Sequence, residues 1–142
     1  MRYGAAISVL AIVAGCAGFG ALTKETPAEV KEAAVQERSS ARWASLIKGD
    51  KDTAYGYLSP ASRELISLDQ YRGRVNTGHF RAARIDKVDC EPESCKVDVY
   101  LTYDFAPTPA AAAKGAGATK GVTTYLQETW VLDKGQVWYV WR

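Results

Sequence analysis

Trp130-Val131-Leu132-Asp133-Lys134-Gly135-Gln136-Val137-Trp138-Tyr139-Val140 reads as two β-strands joined by a tight turn. Asp133-Lys134-Gly135-Gln136 supplies the turn, with Gly135 free to take the left-handed backbone that side chains resist. Side chains alternate between the two faces of a strand. The run from Val122 to Leu132 therefore sets Val122, Thr124, Leu126, Glu128, Trp130 and Leu132 on one face. Val137 to Trp141 is expected to close the sheet.

Working outward, the clearest alternation precedes this hairpin. Val97, Val99, Leu101, Tyr103 and Phe105 share one face, and Lys96, Asp98, Tyr100, Thr102 and Asp104 the other. The period of two begins at Phe80. Pro107 and Pro109 end the Val97 strand, and Ala110 to Lys120 is rich in alanine and glycine. That stretch reads as a mobile hairpin loop or, since long loops often carry function, as a gate or docking segment.

N-terminal to the strands the punctuation is helical. Thr26-Pro27-Ala28-Glu29 combines an N-cap threonine, a proline at the first helical position and a glutamate at the third. The helix is expected to run to about Lys48 and stop at Gly49. Trp43, Leu46 and Ile47 form an apolar stripe in its second half, with Val30, Ala33 and Ser40 earlier on a similar face. Asp50, Ser59-Pro60 and Ser67-Leu68-Asp69-Gln70 each open a shorter helix. The fold class that follows is α+β, with N-terminal helices packed on a curved antiparallel sheet.

Before the first helix the reading is of an address. Arg2, an apolar run from Ala5 to Ala14 and the sequence Val13-Ala14-Gly15-Cys16 have the layout of an export signal. The apolar run is roughly ten residues, short of the ~18–20 a permanent membrane helix requires. A small-small-Cys ending resembles the lipobox of bacterial lipoproteins, which are cleaved before the cysteine and acylated on it. Ordinary secretion and a retained anchor are the alternatives. The resemblance implies a signal peptide over 1–15, a lipidated Cys16 with a tether over 16–26, and a folded domain over 27–142. It also implies Ala17 as the second residue after processing, which favours the outer membrane over the inner one. The lipid bilayer would be the first partner.

Composition fits one exported domain. The chain has 142 residues, 47% hydrophobic, and a formal net charge of +2. A near-neutral balance offers no electrostatic case for nucleic acid. Arg72, Arg74, Arg81 and Arg84 are the densest basic stretch, read as a solvated helix end and strand edge or as a contact for an anionic lipid or polymer. With Cys16 taken by lipid, Cys90 and Cys95 remain as an even pair flanking the turn-like Glu91-Pro92-Glu93-Ser94. A hairpin disulfide is the expectation, against free thiols or a metal site. His79 is the one histidine, and no second thiol pair offers finger spacing, so no metal or cofactor is expected.

The order of one long helix, short capped helices and an antiparallel sheet ending in the tryptophan-bearing hairpin resembles the NTF2-like superfamily. The stretch from Trp43 to Tyr71, with Gly49-Asp50 and Leu58-Ser59-Pro60, looks like the helical half of its small exported members. A cystatin-like helix and sheet is the neighbouring pattern, and its single helix fits the several capped segments less well. The resemblance implies a cone-shaped α+β fold. Some members are enzymes working in the cone, and many others are adaptors or assembly modules.

Fold does not imply function. No catalytic set from those enzymes maps onto this chain, and there is no G-x-S-x-G, phosphate loop or H-E-x-x-H. The expected function is a non-catalytic module binding another envelope protein. Its rival is a small hydrophobic-ligand binder or enzyme, with walls from Trp43, Leu101, Tyr103, Leu126 and Trp130 and Glu128 as the polar group. On that inward face a carboxylate is costly unless paired or wet. Glu128 is therefore read as exposed by strand twist, as paired with an arginine such as Arg84, or as a pocket acid. His79 reads as a loop residue, or else as a proton carrier or pH sensor.

Overall fold

The computed structural model describes residues 20–142; the segment read as a signal peptide and Cys16 lie outside them. Helix α1 (Ala28–Ile47) is followed by three short helices, α2 (Lys51–Tyr55), α3 (Pro60–Leu65) and α4 (Leu68–Arg74). Strands β1 (Phe80–Cys90), β2 (Ser94–Phe105), β3 (Thr119–Asp133) and β4 (Gln136–Tyr139) form one antiparallel sheet in the order β1-β2-β3-β4. A one-turn helix, α5 (Pro109–Ala113), joins β2 to β3.

Local chemistry sets the starts of the short helices. Asp50 accepts from the Thr53 N–H, Ser59 from the Ser62 N–H, and Ser67 forms a reciprocal capping box with Gln70. Each such cap contributes about 1 kcal/mol. Thr26 differs from expectation. Its hydroxyl accepts from the Thr23 N–H, and the N-cap position falls to Pro27. Thr108 caps α5 within the segment read as loop, and β3 begins at Thr119, ahead of the expected Val122.

The buried face of α1 is rotated from the one its apolar residues suggest. Lys31, Ala34, Val35, Ser39, Arg42, Trp43 and Leu46 are buried, while Val30, Ala33 and Ser40 are exposed. Three polar residues are tolerated inside because each finds partners. Lys31 Nζ donates to the carbonyls of Glu91 and Pro92 at 3.1 and 3.2 Å, which ties the first half of α1 to the β1–β2 turn. Ser39 and Arg42 reach Glu128.

Val97, Val99 and Leu101 on β2 face the helices and are buried, as alternation requires. Burying side chains of this size contributes ~1.5–3 kcal/mol apiece. Phe105 departs from the pattern. A register shift after Tyr103 breaks the alternation, and Phe105 is 56% exposed.

The chain closes the β4 edge with its own backbone. Tyr139 N–H donates to Tyr57 O and Ser59 N–H to Tyr139 O, each at 2.8 Å. An exposed strand edge invites pairing with other chains, and this segment shields it. Trp141, expected in the sheet, leaves it after Tyr139. Its ring packs edge-on to Tyr71 with centroids 5.1 Å apart, and its backbone N–H donates to Ser62 Oγ.

Cys90 and Cys95 are a register pair closing the β1–β2 hairpin, with sulfurs 2.02 Å apart in a disulfide. A loop this short restrains the unfolded chain by only about 2 kcal/mol. Cys90→Ser with Cys95→Ser should lower the melting temperature by several degrees and leave the circular dichroism spectrum intact. Two titratable thiols in the denatured, unreduced wild type would show the bridge absent.

Part of the segment read as tether is also docked. Leu22 is 6% exposed, and its N–H donates to Gly135 O at 2.9 Å. Lys24 pairs with Glu93. In the β3–β4 turn both Lys134 (φ 49°) and Gly135 (φ 80°) are left-handed, the form that matches strand twist in a two-residue hairpin. A Cβ on Gly135 would come within 3.1 Å of Ala21 Cβ, so this glycine also makes room for the incoming chain.

Candidate functional site

The five residues read as pocket walls and Glu128 come together between α1 and the sheet, but as packed interior. Trp43, Leu101, Glu128 and Trp130 are at most 6% exposed, and Leu126 and Tyr103 pack half-buried against the same core. Trp43 meets Phe80 edge-to-face with centroids 5.8 Å apart.

Glu128 is neither exposed nor paired with Arg84, whose guanidinium is exposed and bonds Asp86. Its partner is Arg42 on α1, 86 residues earlier in the chain. Arg42 Nη1 donates to Glu128 Oε1 at 2.7 Å, and Ser39 Oγ and Trp130 Nε1 each donate to Oε2 at 2.9 Å. The two charged side chains are 5% and 2% exposed. Arg42 also lies 3.7 Å from the Tyr139 ring centroid. Burial pushes the phenols of Tyr71 and Tyr139 above their ordinary value, only partly opposed by Arg42, so both are neutral near pH 7. A carboxylate with both oxygens engaged and 3% exposed is built to hold structure rather than to exchange protons with a substrate.

The other sequence candidates fall elsewhere. Of the basic stretch, Arg72 is shared between Asp52 and Asp69, and Arg81 pairs with Asp104. Those pairs match the solvated reading. His79 is half-buried in the turn before β1, and its carbonyl accepts from Asp104 N–H. Among the described residues no cluster of His, Cys, Asp and Glu is placed to hold a metal ion, and no helix is long and apolar enough to cross a membrane.

A second feature escaped sequence reasoning. A cleft of about 190 Å³ opens between α1, the docked Gly20–Leu22 segment and the β3–β4 turn. Arg38 lines it, with its guanidinium 5.0 Å from the Tyr57 ring centroid and 4.9 Å from that of Trp138. Arg63 lies over Trp138 as well, at 5.3 Å. Arg38 Nε is buried without a hydrogen-bond partner among the described residues. Burial lowers the Arg38 pKa from its ordinary value, opposed in part by Glu37. Nothing in the spacing of Arg38, Tyr57 and Trp138 announces this arrangement, since it joins a helix, a loop and a strand.

These features define an α+β domain with helices on one face of a four-stranded antiparallel sheet. A similar arrangement occurs in the solution structure of a SEC-C motif containing protein from Rhodopseudomonas palustris, with a TM-score of 0.54 and 13% identity. The match covers 80% of each chain. At that identity the likeness speaks to fold. No family model matches the chain, and no curated protein does.

Proposed function

We propose that this chain is a lipid-anchored lipoprotein of the bacterial envelope, a binding or assembly module without catalysis, built on an NTF2-like cone. The observation that carries the non-catalytic reading is the saturation of Glu128 by Arg42, Ser39 and Trp130. The carboxylate that a pocket enzyme would use is consumed by structure. Support for the anchor is the Val13-Ala14-Gly15-Cys16 sequence behind a short apolar run. More than one acyl chain gives stable anchoring. Ala17 favours outer-membrane sorting, with the domain in the periplasm and an envelope protein as its partner.

Metabolic labelling with a radioactive fatty acid should mark the wild type and leave Cys16→Ser unmarked. Equal labelling of the two overturns the anchor. The acylated protein, isolated from envelope membranes in mild detergent, should carry a stoichiometric envelope protein; recovery of the chain alone overturns the assembly role.

A further inference from the structure

We infer that the cleft beside Gly20 is a phosphate-binding site in which the Arg38 guanidinium, held against Tyr57 and Trp138, takes the phosphate oxygens. Three observations carry it. Arg38 is a half-buried cation that no carboxylate or carbonyl accepts from among the described residues, and the rings beside it compensate only part of its lost hydration. Stacking leaves the edge of a guanidinium available, and that edge matches the spacing of phosphate oxygens. The cavity beside it is too small for a drug-sized ligand, which needs ~300 Å³ or more, and suits a small oxyanion group.

The surroundings agree in sign. Arg63 adds a second cation on Trp138, and exposed Lys134 stands on the turn whose Gly135 and Gln136 line the cleft. Glu37 lines the cleft too and offsets Arg38 within the lining, so the positive excess comes from Arg63 and Lys134 nearby.

Where the phosphate comes from rests on the lipid-anchored reading; the site itself does not. Gly20 lines the cleft only four residues after Cys16. Four residues span at most ~14 Å of extended chain. An acylated Cys16 would therefore hold the cleft at the headgroup layer, where tryptophan and tyrosine are favoured and phospholipid phosphates are abundant. Free phosphate in solution has the same chemistry.

The test uses the full chain extracted from membranes in a neutral detergent, with the Trp138 indole N–H followed by NMR. Inorganic phosphate, dihexanoyl phosphatidylglycerol and phosphate-free dihexanoylglycerol are titrated separately. Saturable shifts with phosphatidylglycerol and none with dihexanoylglycerol are expected. A response to phosphatidylglycerol alone assigns the headgroup as the source, and a response to inorganic phosphate alone assigns the soluble ion; either supports the site. Arg38→Met, which keeps the apolar stem, should bind at least tenfold more weakly. Arg38→Lys, which keeps the charge without the fork, should show an intermediate loss and guards against a folding defect in the first variant. Arg84→Met, with its guanidinium over Tyr100, should bind as wild type. No shift with any phosphate compound, or an unchanged shift in Arg38→Met, overturns the proposal. The mass of the same preparation reports acylation separately. An unacylated Cys16 with a responsive Trp138 would remove the anchor and leave the site standing.

Discussion

Glu128→Ala should destabilise the protein by about 3–5 kcal/mol in urea unfolding, enough to leave a domain of this size partly unfolded at 37 °C. The loss does not measure what the ion pair contributes over an apolar pair. It arises because Arg42, 4% exposed, would keep its charge without its carboxylate partner. Ser39 Oγ and Trp130 Nε1 would lose their acceptor at the same time. Glu128→Gln retains the shape and removes the charge, so it should fall short of the alanine variant while still costing stability. The paired replacement Arg42→Met with Glu128→Met should recover most of the loss, since apolar residues of similar volume often substitute for a buried pair. A change below about 1 kcal/mol in Glu128→Ala would mean the carboxylate is solvated, and would return it to the role of pocket acid.

Trp130→Ala comes next in size, at about 3–5 kcal/mol from cavity and lost transfer energy. Trp130 is fully buried and packs edge-on to Tyr139 with centroids 5.9 Å apart. Trp130→Phe separates the two contributions. It fills most of the volume but cannot donate to Glu128, so it should cost the ~1.5–3 kcal/mol of a bond to a charged group. If Phe is as stable as wild type, the indole N–H does not hold the carboxylate. Both variants should unfold in a single transition with an unchanged urea slope, because the packing is removed from a core the whole domain shares.

The largest surprise of the interior has the same origin. Glu128 violates binary patterning between Leu126 and Trp130, and the sequence flags it as costly without naming what compensates it. Arg84 and Arg42 are equivalent candidates by composition. Only the docking of α1 across the sheet decides between them, and that docking turns a face carrying lysine, serine and arginine inward. A helical wheel scored on hydrophobicity places Val30 and Ala33 inside instead, because it cannot see hydrogen bonds that span 86 and 89 residues.

What the sequence alone determined is what acts over a few residues. Asp50, Ser59 and Ser67 cap helices because their oxygens reach N–H groups three positions on, and Gly135 turns because it lacks a Cβ. The alternation from Val97 to Leu101 and the facing of Cys90 and Cys95 across a four-residue turn belong to the same class. The tertiary structure decided the pairings whose partners lie far apart: Arg42 with Glu128, Leu22 on the Gly135 turn, Trp141 on Tyr71, and Arg38 between Tyr57 and Trp138. Caps and turns are chosen by short-range geometry that each residue carries with it. A buried charge or an aromatic contact is chosen by which surfaces the folded chain brings together.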